Sequence, residues 1–580
     1  MTKNQLRIAT VQFEPLLFEK ERNIQDLLRL VRLAAGNGAK LIVTPEMGTT
    51  GYCWYDRAEV TPFVESVPGP TVERFSEVAN EFDCYVVFGL PEVEPSTNLY
   101  YNTAVLIGPG GVVGKHRKTH SYISEPKWSA PGDLGHQVFD TAIGRIALLI
   151  CMDIHFVETA RLVALAGAEI ICHISNWLAE RTPAPYWISR AFENGCYVIE
   201  SNRWGLERGV QFSGGSCVIS PDGTLAAVID EGDEVAYAEI DLAVAAAKRR
   251  GDEGILRDRR PDCYHELLNN SYLWNPIDFF GLYGNAPLPP GRKSRVGVAQ
   301  FNPTTQVEAN LEKIVRAIGT AQSQGGADLL LFPELSLSGP FRSVADAQPL
   351  RGPAVDSLVK LAIRHRIYLS AGLLESDNGR LYNTLILAGP EGYIGSYRKI
   401  HLNESDKKWA SAGTEWKTFD LPVGRVGLLL GYDAIFPESA RILSLRGCDL
   451  VLCAAAQSCP VPASHKGSRI KQSYPIPMGA DPYHWHHFRV RGGENNLYFA
   501  FSNPLDREHA YFGLSGIFGP DTFSFPRCEA IVDVEEGIAI LEIDTTNLAS
   551  NYPTNIVRRK DLVAMRQPLQ YKELLQAGIK

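Results

Sequence analysis

The sequence predicts an α/β protein of two tandem domains, each a mixed sheet with helices outside. Short apolar runs alternate with helical periodicities in both halves, and a series of sequence blocks in the first half returns in the second in the same order. With 580 residues, 45% hydrophobic and 21% charged, the chain can bury two sizeable cores.

The elements follow one another as a strand-helix-strand chain. The run from Ile8 to Phe13 has the pattern of a buried strand, and residues 23–33 set Ile24, Leu27, Leu28, Leu30 and Val31 at helical spacing. Lys40 to Thr44 reads as a second strand, ended by Pro45 and followed by Glu46. Further strands are predicted at Tyr85 to Gly89, Thr103 to Ile107 and Val112 to His116, the last two joined by the turn Gly108-Pro109-Gly110-Gly111. Strand pairs of both kinds call for a mixed sheet. Residues 275–292, with Gly281, Gly284, Pro287, Pro289, Pro290 and Gly291, have linker composition and divide a first domain, 1–274, from a second, 293–580.

The repeat is specific. Arg7-Ile8-Ala9-Thr10-Val11-Gln12-Phe13-Glu14-Pro15 returns as Arg295-Val296-Gly297-Val298-Ala299-Gln300-Phe301-Asn302-Pro303. Thr44-Pro45-Glu46-Met47 returns as Phe332-Pro333-Glu334-Leu335, and Arg117-Lys118-Thr119-His120 as Arg398-Lys399-Ile400-His401. Cys151-Met152-Asp153 returns as Gly431-Tyr432-Asp433, so a thiol has become a hydrogen atom inside a preserved frame. A period this long means whole duplicated domains rather than a solenoid.

Several classes are disfavoured. A net charge of −9 with no basic run argues against a nucleic-acid partner. Eleven cysteines without CxxC pairs do not form a disulfide framework, the N-terminus has no apolar signal segment, and no run is long and apolar enough for a membrane span. The expected compartment is the cytoplasm. Tyr483-His484-Trp485-His486-His487 has no acidic or Cys partner at ligand spacing, so no metal site is predicted.

Glu46, Lys118 and Cys151 each sit at or just past the end of a predicted strand, where α/β sheets gather reactive groups. A thiol attacks a carbonyl or nitrile carbon as thiolate, so it needs a base and a positive field, which Glu46 and Lys118 can supply. The Lys118 ammonium and the backbone N–H of Met152 are candidate donors for an oxyanion. Singly, each residue has an ordinary reading: a buried thiol, turn punctuation, a solvated edge.

In combination these blocks resemble the nitrilase, or carbon-nitrogen hydrolase, superfamily. The first half resembles it over nearly all of residues 6–245, through Thr44-Pro45-Glu46, Arg117-Lys118-Thr119-His120 and Cys151-Met152-Asp153, with further blocks at Ser175-Asn176-Trp177, Arg190-Ala191-Phe192-Glu193-Asn194, Ser201-Asn202-Arg203-Trp204-Gly205 and Ser213-Gly214-Gly215-Ser216. The resemblance implies an α-β-β-α sandwich with Glu46 as general base, Lys118 as the lysine, Cys151 as nucleophile and Glu125 as a second, orienting glutamate. It also implies hydrolysis of a non-peptide C–N bond through a thioester, releasing ammonia or an amine, with no metal or organic cofactor.

Members with Cys-Met-Asp at the nucleophile look more like amidases and carbamoylases than like nitrilases with Cys-Trp-Glu, so an amide is the expected substrate and a nitrile the alternative. His155 stands where carbamoylase-like members often have arginine, which weakens an N-carbamoyl substrate bearing a carboxylate. Tyr52, Trp54, Tyr55, Trp128, His155, Trp177 and Arg203 are candidate pocket residues, an aromatic set with one cation.

The second half resembles the same family over about residues 294–550, with Glu334 and Lys399 retained, Asp406 in the place of Glu125, and Gly431 in the place of the nucleophile. It reads as a degenerate site in a pseudoenzyme domain, and the stretch from Pro460 to His487 has no counterpart in the first half. Since family members commonly pair subunits beside the active site, the tandem chain is expected to pair internally as a pseudo-dimer, with room for a further homo-oligomer. The rival of another class is a non-catalytic binding or scaffold protein.

Overall fold

In the computed structural model, described residues are 5–178, 182–250, 254–270, 287–457, 486–506, 508, 511–521, 528–532, 535–546 and 553–577. By their contacts they form two compact units, one from residues 1–257 and one from 258–461 with 487–577.

The first unit holds two six-stranded mixed sheets. One contains β1 (Gln5–Gln12), β2 (Leu41–Val43), β3 (Tyr85–Glu94), β4 (Leu99–Gly108), β5 (Gly111–Arg117) and β14 (Glu234–Asp241), in the order β14-β1-β2-β3-β4-β5. The other contains β6 (Val138–Thr141), β7 (Gly144–Ile150), β8 (Ile170–Ser175), β9 (Tyr197–Asn202), β12 (Cys217–Ile219) and β13 (Leu225–Val228), in the order β13-β12-β9-β8-β7-β6. A separate hairpin, β10 (Trp204–Glu207) with β11 (Val210–Ser213), follows β9. In the first sheet β1, β2 and β3 run parallel while β3, β4 and β5 alternate, so β5 again points the same way as β2. The ends of β2, β5 and β7 therefore deliver Glu46, Lys118 and Cys151.

Helices cover the outside. Lys20–Gly36 and Pro70–Phe82 lay an apolar stripe on the first sheet, where Ile24, Leu27, Val31 and Phe75 meet Val11 and Phe88; the Phe75 and Phe88 rings stack at 4.4 Å. Val157–Leu165 and Pro185–Asn194 connect the parallel strands of the second sheet and are buried along their whole length. The inner faces of the two sheets are tied where β1 crosses β9: Thr10 Oγ1 donates to the Glu200 carbonyl and Ser201 Oγ to the Val11 carbonyl, each at 2.6 Å. The result is an α-β-β-α sandwich.

The second unit repeats the plan. Its sheets run Gly392–Arg398, Arg380–Gly389, Tyr368–Asp377, Leu329–Leu331, Lys293–Gln300, Gly537–Asp544, and Thr418–Leu421, Gly424–Leu430, Leu450–Ala454, Tyr498–Ser502, Gly516–Phe518, Glu529–Ile531. Ser502 Oγ donates to the Ala299 carbonyl at 2.6 Å, as Ser201 does to Val11.

The division between units falls at 257/258, earlier than the domain end placed at 274 by composition. The reason is polar anchoring that composition does not reveal. Arg259 pairs with Glu438 at 3.1 Å, Tyr264 Oη lies 2.6 Å from His401 Nε2, and Trp416 Nε1 donates to the Cys263 carbonyl at 2.8 Å. Arg259-Arg260-Pro261-Asp262-Cys263-Tyr264-His265-Glu266-Leu267-Leu268 is itself repeated as Arg566-Gln567-Pro568-Leu569-Gln570-Tyr571-Lys572-Glu573-Leu574-Leu575. The two copies cap each other: Arg259 donates to the Leu574 and Gln576 carbonyls, and Arg566 to those of Leu267 and Asn269. Of the composition-based linker, residues 275–286 lie outside the described residues, as do residues 460–485 of the stretch without a counterpart, with Tyr483, His484 and Trp485. Among the described residues no helix is long and apolar enough to cross a membrane.

One glycine sets where Glu46 stands. A Cβ on Gly89 of β3 would lie 2.6 Å from the Met47 nitrogen and 2.9 Å from the Glu46 Cα, so only glycine lets the loop after β2 approach so closely. Gly89→Ala is expected to cost about 1–3 kcal/mol of stability, read as a lower urea midpoint at unchanged slope.

Candidate active site

Three ionisable side chains meet below the ends of β2 and β5. Lys118 Nζ donates to Glu46 Oε1 at 2.9 Å and to Glu125 Oε1 at 3.0 Å. Asn102, on β4, donates its single amide nitrogen to the same two oxygens, at 2.6 Å to Glu46 and 2.7 Å to Glu125. Glu46, Lys118 and Glu125 are buried, at 0%, 2% and 1% exposure. Burying charges is tolerable here because each carboxylate has the ammonium and an amide. Glu46 Oε2 is the oxygen left over: it is buried and has no hydrogen-bond partner among the described residues.

Cys151 begins the short 3-10 turn Cys151–His155 that follows β7. Its φ of +43° lies in the left-handed region, which a side-chain-bearing residue occupies only when its surroundings hold it there. Asp153 does much of that holding. Its carboxylate accepts from Ile150 N at 3.1 Å within its own turn, and from Thr119 Oγ1 at 2.7 Å and His120 N at 2.9 Å on the segment after Lys118. It also contacts Thr119 N at 3.1 Å, His116 Nε2 at 2.9 Å and His120 Nδ1 at 3.2 Å. Asp153 thus clamps the thiol's turn to the lysine's turn.

The electrostatics are those of a neutral thiol beside a carboxylate pair. Burial pushes the Cys151 thiol well above its ordinary range, Glu46 adds to the rise, and Lys118 opposes it. Burial opposes the Lys118 charge, but Cys151, Glu125 and Glu46 outweigh it and raise its pKa. Glu125 is raised, by burial first and also by the Glu46 charge, with Lys118 pulling it back. Burial thus works against the thiolate expected from the motif, and Lys118 works for it.

The aromatic candidates divide into two groups. Tyr52 faces the charged cluster, with Lys118 Nζ 5.7 Å from its ring centre, and His155 stacks on Trp177 at 4.6 Å and 9°. Trp54 and Trp128 belong to an apolar cluster with Met47, Val60, Tyr100 and Phe212, which Tyr52 joins from the site side, and Trp54 packs on Phe18 and Phe63. Tyr55 is 64% exposed, beneath the Arg208 guanidinium. Arg203, offered by the sequence as a cation for substrate, is corrected by its surroundings: it pairs with Glu207 at 2.8 Å, donates to the Pro15 carbonyl and lies over the Phe212 ring. Glu207 in turn accepts from Tyr52 N and Cys53 N, so Arg203 braces the loop that carries Tyr52.

The second unit keeps the charges without the thiol. Lys399 Nζ reaches Glu334 at 2.9 Å and Asp406 at 2.7 Å, and Asn383 donates to Glu334 at 2.5 Å. Gly431 holds the same backbone bend, with φ +33°. A Cβ built there would lie 2.5 Å from Glu334 Oε2.

Two groups were not legible as site residues. Asn102 sits inside an apolar strand with no motif around it, and His173 lies behind Cys151, with Nε2 3.1 Å from the Cys151 carbonyl oxygen. A polar residue in a strand otherwise apolar is the only local signal for either. From the raised thiol we expect iodoacetamide to label Cys151 faster as pH climbs past the ordinary thiol range near 8.5. Lys118→Met should slow that labelling about tenfold or more at a given pH, measured by peptide mass mapping.

The chain matches the carbon-nitrogen hydrolase family over residues 7–250 and again over residues 295–550. A Pyrococcus abyssi protein named nitrilase is 37% identical over 262 residues, which span 45% of this chain and 99% of that protein. An (R)-stereoselective amidase from a Pseudomonas species is 32% identical over 278 residues, 45% of this chain and 98% of its own. Among solved structures, Saccharomyces cerevisiae Nit3, described as a member of branch 10 of the nitrilase superfamily, shares 28% identity over 43% of this chain and 94% of its own, with a TM-score of 0.39. With both halves matched, the chain belongs to the carbon-nitrogen hydrolase family and is a carbon-nitrogen hydrolase built as a tandem repeat.

Proposed function

We propose that the first repeat hydrolyses an amide-type C–N bond through a thioester on Cys151. The observation that carries this reading is the unpartnered Glu46 Oε2, a buried carboxylate oxygen left over beside a buried thiol. Glu46 takes the thiol proton as the sulfur attacks the amide carbon; the carbonyl oxygen becomes an oxyanion held by the Lys118 ammonium and the Met152 N–H. Collapse breaks the C–N bond, and Glu46 returns the proton to the leaving nitrogen. Water, deprotonated by the same carboxylate, then attacks the thioester, the C–S bond breaks, and the acid leaves as the thiol regains its proton. Glu125 and Asn102 orient Lys118 and Glu46 throughout.

The name of the Pseudomonas relative favours an amide, and that of the Pyrococcus relative keeps a nitrile as the second reading. A nitrile would enter by the same attack and differ in how its tetrahedral adduct collapses. Burial lowers the pKa of His155 well below the ordinary value, and Arg190 and His173 add to that, so it supplies no positive charge for a substrate carboxylate at neutral pH. The second repeat, with Gly431, is read as a non-catalytic partner for the first within one chain, an internal pseudo-dimer.

An ammonia-release screen over amides, carbamoyl compounds and nitriles, with Cys151→Ala as blank, tests the reading. Ammonia is expected from an amide with the wild type alone, and Glu46→Gln should lower kcat by about 10²–10⁴-fold. Equal release by wild type and blank on every class would sink it.

A further inference from the structure

Behind the Cys151 turn, on β8 and β9, stands a group of polar residues that the reaction as written does not use. His173 on β8 pairs in register with Glu200 on β9, and both side chains are fully buried. His173 Nδ1 is in close hydrogen-bond contact with Glu200 Oε2, and Ser175 Oγ donates to Glu200 Oε1. On its other side His173 Nε2 is 3.1 Å from the carbonyl oxygen of Cys151. A carbonyl cannot donate, so Nε2 carries a hydrogen, and the proton between Nδ1 and Glu200 is shared by that pair. Burial raises Glu200, which favours keeping this proton inside the pair.

The carbonyl of Cys151 and the N–H of Met152 belong to one peptide group. We propose that His173 and Glu200 are a positioning pair that aims and polarises the Cys151–Met152 peptide, so that its N–H serves the oxyanion. A donor on the carbonyl end strengthens the N–H end of the same amide, and a fixed carbonyl fixes where that N–H points. The inference rests on the reading that the Met152 N–H holds the oxyanion.

The second unit is the internal control. Leu429 pairs with Cys453 as Leu149 pairs with His173, and Cys453 pairs with Phe501 as His173 pairs with Glu200. Ala455 stands for Ser175. Where the nucleophile became Gly431, every member of the group behind it became apolar or a thiol, while Glu334, Lys399, Asn383, Asp433 and His401 stayed. A pair needed only for folding would have no reason to disappear along with the thiol.

Three variants test the pair by steady-state kinetics. Glu200→Leu and His173→Leu should lower kcat about 10–100-fold, with KM within about threefold, because the lost interaction matters only once the oxyanion forms. Glu200→Gln should keep kcat within about threefold, since its amide N–H can donate to Nδ1 and leave Nε2–H on the carbonyl. Glu200→Leu is expected to lower the urea midpoint, since it orphans His173 Nδ1 and Ser175 Oγ, so kcat is read on folded protein and the rescue by Glu200→Gln separates this role from packing. Wild-type kcat in Glu200→Leu, or an equal loss in Glu200→Gln, would overturn the proposal. A second readout is independent of substrate: in protein labelled with ¹⁵N-histidine, the resonance absent from His173→Leu should show protonation at Nε2, and a bare Nε2 would overturn the proposal. If no amide is turned over yet Nε2 is protonated, the reaction reading has failed and the hydrogen-bond arrangement has not.

Discussion

One ammonium shared between two buried carboxylates is the interaction on which this site depends. Lys118 fixes the separation of Glu46 and Glu125, and Asn102 binds the same two oxygens from β4, so the strand ends that bear these groups cannot drift apart without exposing charge to an apolar interior. Removing Lys118 would strand buried carboxylates, which costs about 3–5 kcal/mol. The same energetics explain what each repeat has kept. In the second unit Lys399, Glu334 and Asp406 persist as an interlocked set, whereas the thiol, neutral and partnered by no ion, could be lost without leaving a charge behind.

Around that cluster the fold works by converging parallel strand ends. Two sheets packed face to face bring β2 and β5 from one side and β7 from the other, and Asp153 ties the turn after β7 to the end of β5 and the segment after it through His116, Thr119 and His120. The backbone at Cys151 is bent into the left-handed region, and Gly431 shows the same bend with no side chain to benefit. The bend is thus a property of the strand-to-turn geometry, inherited whether or not a nucleophile stands on it.

Much of this was legible from sequence because it is local. Apolar runs marked β1 to β5, and Glu46, Lys118 and Cys151 announced themselves by falling just past strand ends, each with a recognisable neighbour pattern. What escaped is what depends on sheet register. His173 and Glu200 are 27 positions apart and meet only because β8 and β9 lie side by side. Arg203 has no sequence mark of its pairing with Glu207, which stands four residues on at the end of the strand that Arg203 precedes. The anchoring of residues 258–269 in the second unit was likewise invisible, since a Pro- and Arg-containing segment reads as connector; only its repetition at residues 566–575 gave a hint.

The glycine at 431 leaves the second repeat with a carboxylate oxygen where the first has a thiol-bearing side chain. Glu334 Oε2 stands where a side chain at 431 would begin, while its other oxygen is held by Lys399 and Asn383. A cysteine placed at 431 would need that oxygen to swing aside, and Glu46, held in the same way beside Cys151, shows that such a carboxylate can stand next to a thiol. The gap left by the missing thiol is thus closed by one movable oxygen rather than by a rebuilt backbone.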